Sequence, residues 1–400
     1  MIERAEYLKK LIDFKDKNLI KVVTGIRRCG KSTLFELYQE YLRCNGVLPE
    51  QIISINFEDM DYDELTDYKE LYKYVKERLL PDKTVYIFLD EIQNVEKFQK
   101  AVDSLYIKKN TDIYITGSNA YMLSGELATL LSGRYVEISM LPLSFKEYMQ
   151  TVPNDSNLER SFREYQISSS FPGALELSGK KKIHEYLGGI YHTIILKDVV
   201  KRLNITDISI LESVVKFMFD NIGNLCSTKK IADTMTSYGR KTSVHTVERY
   251  LNGLVDSFIL YKVSRYDAKG KQHLKSGEKY YIADIGLRYY LLGSRETDWG
   301  HILENIVFLE LLRRGYEVYI GKVGTKEIDF IAVSEEGYEY YQVSETVRDA
   351  DTLKRELEPL NGMNDHFPKY LLTMDIAPPI SHNGIKQINV IDWLLGNETF

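Results

Sequence analysis

The chain has 400 residues, 44% of them hydrophobic, and a formal net charge of −6. That length allows about two to four domains with cores of their own, and the negative balance excludes a surface coated by nucleic acid, so any such contact needs a local basic face. The three cysteines, Cys29, Cys44 and Cys226, are scattered, which excludes a zinc cluster or a disulfide framework and fits a reducing cytosol.

The first residues are charged and lack the apolar core of a signal peptide, and no apolar run approaches the ~18 residues of a membrane span. The expectation is a cytoplasmic protein with no membrane segment. Residues 18–24 read as a buried strand and residues 33–42 as an amphipathic helix. Between them Gly25, Ile26, Arg27, Arg28, Cys29, Gly30, Lys31, Ser32 and Thr33 fit GxxxxGK[ST], the spacing of a phosphate cradle. The two glycines let backbone N–H groups close around phosphate oxygens, and the helix start adds the positive end of its dipole. Lys31 reaches the β- and γ-phosphates of ATP, and the Ser32 hydroxyl ligates Mg²⁺. Cys29 reads as a loop residue whose alkylation should hinder ATP.

Residues 51–57 form a second strand with Asn56 at its end. Residues 84–89 are a continuous apolar run that ends in Asp90 and Glu91, a Walker B pattern. At the carboxyl end of a parallel strand, Asp90 can hold Mg²⁺ through water and Glu91 can polarise the water that attacks the γ-phosphate. Placed after a phosphate loop and an intervening strand, the pair favours ATP hydrolysis over mere binding. Residues 112–119 form a further strand that ends in Thr116, Ser118 and Asn119.

At this point the chain resembles an AAA+ ATPase. The resemblance gives a polar residue after the fourth strand (sensor 1) the task of orienting the lytic water, which falls to Asn119 with Ser118 as its rival. A polar residue after the second strand, here Asn56, restrains the Walker B glutamate. Both can equally be turn residues. The motifs GxRRxGKST, NFE, FLDEIQ, TGS, SGR and PLSFxEY, in this order, narrow the resemblance to a prokaryotic AAA+ family with a C-terminal domain of restriction-endonuclease-like outline. It implies a fourth strand lying between the first and third, ATP and Mg²⁺ as cofactors, and Arg134 as an arginine finger or sensor. The alternative for Arg134 is a surface residue opening the fifth strand. The implied organisation is an ATPase core over 1–145, a helical lid over 146–205, a winged helix over 206–292 and a nuclease-like domain over 293–400. A lid arginine (sensor 2) is not assigned.

The winged-helix reading rests on residues as well. Ser227 caps a helix over 228–238, Gly239 ends it, and residues 243–258 carry apolar positions at helical spacing. A hairpin follows, with Arg265, Lys269, Lys271, Lys275 and Lys279 set against Asp267 and Glu278. This wing either grips DNA phosphates or is a solvated hairpin used for protein contact.

In the last hundred residues, a helix carrying Glu304 precedes strands with Asp329 and with Gln342-x-Ser344. These resemble the PD-(D/E)xK nuclease pattern, in which carboxylates hold Mg²⁺ and a lysine steadies the phosphoryl charge. Ser344 stands where the lysine belongs, and Lys326 or Lys322 would have to take its place. The expected fold class is therefore α/β: an AAA+ parallel sheet, a helical lid, a winged helix and a catalytically inactive nuclease-like α/β domain. The expected function is an ATP-hydrolysing switch or motor that moves its C-terminal domains, with DNA, a protein partner or a second copy of the chain as partner. The alternative is an ATP-gated, DNA-processing nuclease.

Overall fold

A computed structural model of the chain describes residues 2–118, 133–152, 157–267, 270, 272–273, 277–293, 299–376 and 378–397. The chain divides into two compact units, Met1–Pro142 with Asp256–Phe258, and Leu143–Val255 with Ile259–Phe400.

In the first unit five parallel strands, β1 (Ile20–Thr24), β2 (Ile52–Asn56), β3 (Val85–Asp90), β4 (Thr111–Gly117) and β5 (Tyr135–Ser139), lie in the order β2-β3-β4-β1-β5. The fourth strand thus sits between the first and third. Both faces are covered, which is why every residue of β1 and β3 is buried and the pattern does not alternate. Alternate residues of β3 serve different layers. Ile87 and Leu89 join Leu71, Val75, Val102 and Leu105 from the helices Tyr68–Lys76 and Phe98–Tyr106. Phe88 faces the other way, 5.1 Å from Phe35 of helix Lys31–Cys44 and 4.8 Å from Tyr114 of β4, measured between ring centroids. Because all strands run parallel, the ends of β1, β3 and β4 meet at one edge of the sheet. That edge carries the phosphate loop, Asp90–Glu91 and Thr116–Ser118.

The second unit begins with helices Phe145–Met149, Leu158–Ile167, Pro172–Leu175 and Lys180–Thr193, the last running into a π-helical turn at Ile194–Val200. Ile208–Asp220, Thr228–Ser237 and Val244–Asp256 follow. The Ser227 hydroxyl accepts the Lys230 N–H at 3.2 Å, which starts the second of these, and Gly239 leaves it at a positive φ of 79°. Next come β6 (Leu260–Val263), β7 (Arg265–Asp267), β8 (Gln272–His273) and β9 (Lys279–Ile282). The C-terminal strands are β10 (Glu317–Val323), β11 (Lys326–Ser334), β12 (Gly337–Ser344), β13 (Lys369–Thr373), β14 (Ile380–His382) and β15 (Ile385–Asn389). Helix Trp299–Arg313 precedes β10, and helix Ala350–Asn361 joins β12 to β13.

The hairpin departs from the expected free wing. β6 and β9 pair antiparallel, but β7 leaves them and hydrogen-bonds parallel to β10. An eight-stranded sheet results, in the order β14-β15-β13-β12-β11-β10-β7-β8. The expected boundaries at 205 and 292 therefore fall inside one compact unit. The basic wing is also reduced. Lys279 is 5% exposed and belongs to the interior, and Arg265 is half-buried on β7. Lys269, Lys271 and Lys275 lie outside the described residues. None of the described helices is long and apolar enough to cross a membrane.

Candidate functional site

The phosphate loop has the backbone its glycines imply. Gly25 lies at φ +145°, and a Cβ there would fall 2.1 Å from the Met140 carbonyl oxygen. Gly30, at φ +104°, turns the chain into helix Lys31–Cys44. The loop is braced from behind by a residue that sequence reasoning missed. Arg4, 3% exposed, donates to the carbonyls of Cys29 (2.9 Å) and Leu141 (2.6 Å), and the Tyr7 hydroxyl accepts the Leu141 N–H at 3.1 Å. Nothing local distinguishes Arg4 from any arginine ahead of a first helix. Cys29 is fully buried, and burial pushes its thiol up, which lowers its reactivity toward alkylating agents.

The Lys31 ammonium donates to the carbonyls of Gly25 (3.1 Å) and Ile26 (3.4 Å) and lies 3.6 Å from Glu91 Oε1. Asp90 accepts hydrogen bonds from the Ser32 and Thr116 hydroxyls. Thr116 in turn accepts the Glu91 N–H at 2.8 Å, fixing Glu91 at a positive φ of 53°. The Ser118 hydroxyl donates to Glu91 Oε2 at 3.0 Å, and the Gln93 amide donates to the same oxygen. Burial pushes Asp90 above the ordinary carboxylate range. Burial acts on Glu91 in the same direction but is outweighed by Lys31, Gln93, Arg27 and Ser118, which hold its carboxyl below that range. Glu91 is thus an ionised carboxylate near pH 7, with one oxygen anchored and the other turned to Lys31.

The donors present fit Mg²⁺. Ser32 and Asp90 place two hard oxygens side by side at a helix start, and Mg²⁺ takes few protein ligands and completes its shell with water and phosphate. Among the described residues no three His, Cys, Asp or Glu side chains converge as a dedicated metal cage.

Two expected site residues fall elsewhere. Asn56 accepts the Glu58 N–H at 2.9 Å, a turn contact, and the structure gives it no bond to Glu91. Arg27 stands there instead, 3.3 Å from Glu58 Oε1 and 3.9 Å from Glu91 Oε2. Arg134 sits at the amino end of β5, where its carbonyl accepts the Ile20 N–H at 2.8 Å and its guanidinium lies 5.5 Å over the Tyr106 ring. A whole strand, about 16 Å at the usual rise, separates that edge from the phosphate loop, so Arg134 does not serve its own site. Asn119 lies outside the described residues. Ser118, its rival, touches Glu91.

A second charged centre occupies the C-terminal sheet. Asn305 clamps helix Trp299–Arg313 to β9, accepting the Ile282 N–H at 2.8 Å and donating to the Ile282 carbonyl at 3.0 Å. One residue earlier, Glu304 Oε1 meets the Lys279 ammonium at 3.0 Å and the Tyr281 hydroxyl at 2.5 Å. Lys279 also lies 2.7 Å from Glu327 Oε1. Asp329 Oδ2 accepts the Val343 N–H at 2.8 Å, while Gln342 accepts the Asp329 N–H at 3.4 Å and donates to Glu356 at 2.9 Å. The structure thus brings Glu304, Asp329 and Gln342 into one network. Of the two lysines weighed for that place, Lys326 pairs with Glu358, and the lysine present is Lys279. Sequence reasoning assigned Lys279 to the wing; its place at alternate spacing with Tyr281 on an otherwise apolar strand was the available signal. Burial disfavours the charge on Lys279, but Glu304, Asp329 and Glu327 outweigh it and hold its pKa above the ordinary lysine value. Enclosure and the Glu304 carboxylate hold Asp329 well above the usual carboxylate range. Glu304, although buried, is held below it by Lys279, His301 and Tyr281.

The parallel sheet and its edge of phosphate-binding loop, acids and hydroxyls define an AAA-type P-loop domain, and residues 17–149 match the AAA domain family. Residues 159–298 match a family described as a domain of unknown function, DUF8612. Over 99% of both chains the protein is 42% identical to an uncharacterised protein of Haemophilus influenzae. It is 30% identical to an uncharacterised protein of Methanocaldococcus jannaschii, over 83% of this chain and 76% of that one. The chain belongs to the family that these proteins form. Among solved structures it is similar to a Walker-type ATPase of Pyrococcus abyssi, at 17% identity and a TM-score of 0.49, over 73% of this chain and 96% of that one. It is also similar to the Aeropyrum pernix ORC1 protein solved in complex with DNA, at 13% identity and a TM-score of 0.32, over 73% and 92%.

Proposed function

We propose that the chain hydrolyses ATP to ADP and phosphate in a Mg²⁺-dependent cycle, and that this cycle acts as a switch or motor on the second unit. The observation that carries the reading is the convergence of Lys31, Ser32, Asp90 and an ionised, anchored Glu91 on one sheet edge. The triphosphate settles on the N–H groups of the loop from Gly25 to Lys31, and the Lys31 ammonium exchanges the Gly25 and Ile26 carbonyls for β- and γ-phosphate oxygens. Glu91 polarises the attacking water through the oxygen turned to Lys31, while Ser118 and Gln93 keep the other from rotating. Ser32 and Asp90 would hold Mg²⁺, which would supply charge neutralisation at the phosphates. Arg27 bridges Glu91 to Glu58 and in this reading sets how far the glutamate leans toward the nucleotide.

Two variants test the proposal with ATP binding and phosphate release measured separately. Lys31→Ala should lose nucleotide binding by about 100-fold or more. Glu91→Gln should keep binding and lose turnover by a similar factor. Wild-type turnover in Glu91→Gln would remove the Walker B assignment and the proposal with it.

A further inference from the structure

The C-terminal centre has the outline of a nuclease pattern but an unexpected occupant. In that pattern a helix carboxylate and a strand carboxylate face a divalent ion, with the lysine standing off on the following strand. Here the strand after Asp329 offers Ser344, whose hydroxyl donates to the Thr346 carbonyl at 3.2 Å. The positive charge arrives instead from β9, which precedes the helix in the chain.

We infer that the Lys279 ammonium is the resident cation of this centre: it fills the place among Glu304, Glu327 and Asp329 that the pattern gives to a divalent metal ion. The geometry supports this on three counts. Lys279 is 5% exposed, and its ammonium is within 3.0 Å of Glu304 and 2.7 Å of Glu327, the spacing of ion pairs in full contact. Several of the oxygens a metal would need are engaged by the protein itself. Glu304 Oε1 holds Lys279 and Tyr281, Glu304 Oε2 has His301 at 3.8 Å, Asp329 Oδ2 holds the Val343 N–H, and the Gln342 carbonyl oxygen holds the Asp329 N–H. Lastly, Lys279 cannot swing out, because β9 is buried along its length and is pinned to the helix through Asn305.

An ammonium differs from Mg²⁺ where chemistry is concerned. It carries one charge, has no open coordination position, and activates no water. The centre is thus a charge-compensated tie between the β6–β9 pair and the C-terminal sheet, and it leaves phosphodiesters intact. The inference concerns residues of the second unit alone, so it stands or falls apart from the ATPase reading.

Mn²⁺ titration of the full chain without nucleotide, followed by electron paramagnetic resonance, tests it. Wild type should show no Mn²⁺ site that depends on Asp329. Lys279→Ala should bind one Mn²⁺ per chain at least about ten-fold more tightly than wild type, and adding Asp329→Asn should abolish that site. Its melting temperature, depressed in EDTA, should recover in Mn²⁺. Should Lys279→Ala fail to fold in either condition, wild type against Asp329→Asn decides the matter. A wild-type Mn²⁺ site lost in Asp329→Asn would overturn the inference and make Lys279 a displaced nuclease lysine. A folded Lys279→Ala protein that gains no Mn²⁺ would overturn it too.

Discussion

Lys31 and Lys279 both sit nearly buried among acids, yet the two are held in different ways. Lys31 rests on two backbone carbonyls and a carboxylate 3.6 Å away, at the open start of a helix. Lys279 is in direct contact with two carboxylates, under a helix clamped to its own strand. The first lysine can trade its partners for phosphate oxygens at little cost, since carbonyls hold a cation less tightly than a full ion pair does. The second has no such exchange open to it, because leaving would strand buried carboxylates. What a buried lysine does thus depends less on its burial than on how completely its charge is already answered.

Removing each lysine should break the comparison most visibly. Lys279→Met should destabilise the second unit by about 3–5 kcal/mol, because it leaves Glu304 and Glu327 without their counter-charge. That corresponds to a melting temperature lower by roughly 10 °C. Lys31→Met should shift it by only a degree or two, since Glu91 keeps Gln93, Ser118 and Arg27. Equal losses in a calorimetric scan would erase the distinction.

A smaller effect is expected at Ser118. Ser118→Ala removes one of two anchors on Glu91 Oε2, so kcat should fall about 10-fold while the KM for ATP stays put. A rise in KM at constant kcat would mean that Ser118 binds substrate and does not position the base.

The smallest effect sharpens the contrast through pH. Asp329 has a raised pKa in the fold, so its stabilising contribution is complete below the ordinary aspartate value and is lost as pH rises through the folded one. Asp329→Asn mimics the protonated form, and should melt a few degrees higher than wild type at pH 8, with the gain shrinking toward pH 4. Glu91 has the opposite sign: its depressed pKa gives stability that is present above the ordinary glutamate value and lost on acidification. Glu91→Gln should therefore melt lower at pH 8. Matching signs in a pH series of melting curves would contradict the two environments.

The nucleotide edge was legible in the sequence because its chemistry is local. GxxxxGK[ST] dictates a loop backbone, and an apolar run ending in two acids dictates a strand end. The parts that were not legible depend on pairings far apart in the chain. Arg4 meets the loop carbonyl across 25 residues, and Lys21, read as part of a plain buried strand, is neutralised by Asp112 across 91. Lys279 is the clearest case. Five cations along a hairpin suggest a solvated surface, and only the departure of β7 to β10 turns the base of that hairpin inward. The choice between Ser118 and Asn119 could not be made from spacing, since one residue along a strand end reverses the direction a side chain takes.

The route of β7 bears on how such a protein can be taken apart and inherited. The match to DUF8612 stops at residue 298, so the sheet is stitched from both sides of that limit. A fragment starting at 293 would carry β10 with a bare edge at Ile320–Lys322, where β7 supplied the partner, and a Glu304 with no lysine. A fragment ending at 292 would carry the β7–β8 pair without its partner β10, and a Lys279 ammonium without Glu304 and Glu327. Neither half is a transferable part, and a splice that respects the physics keeps residues 259–400 on one piece of chain.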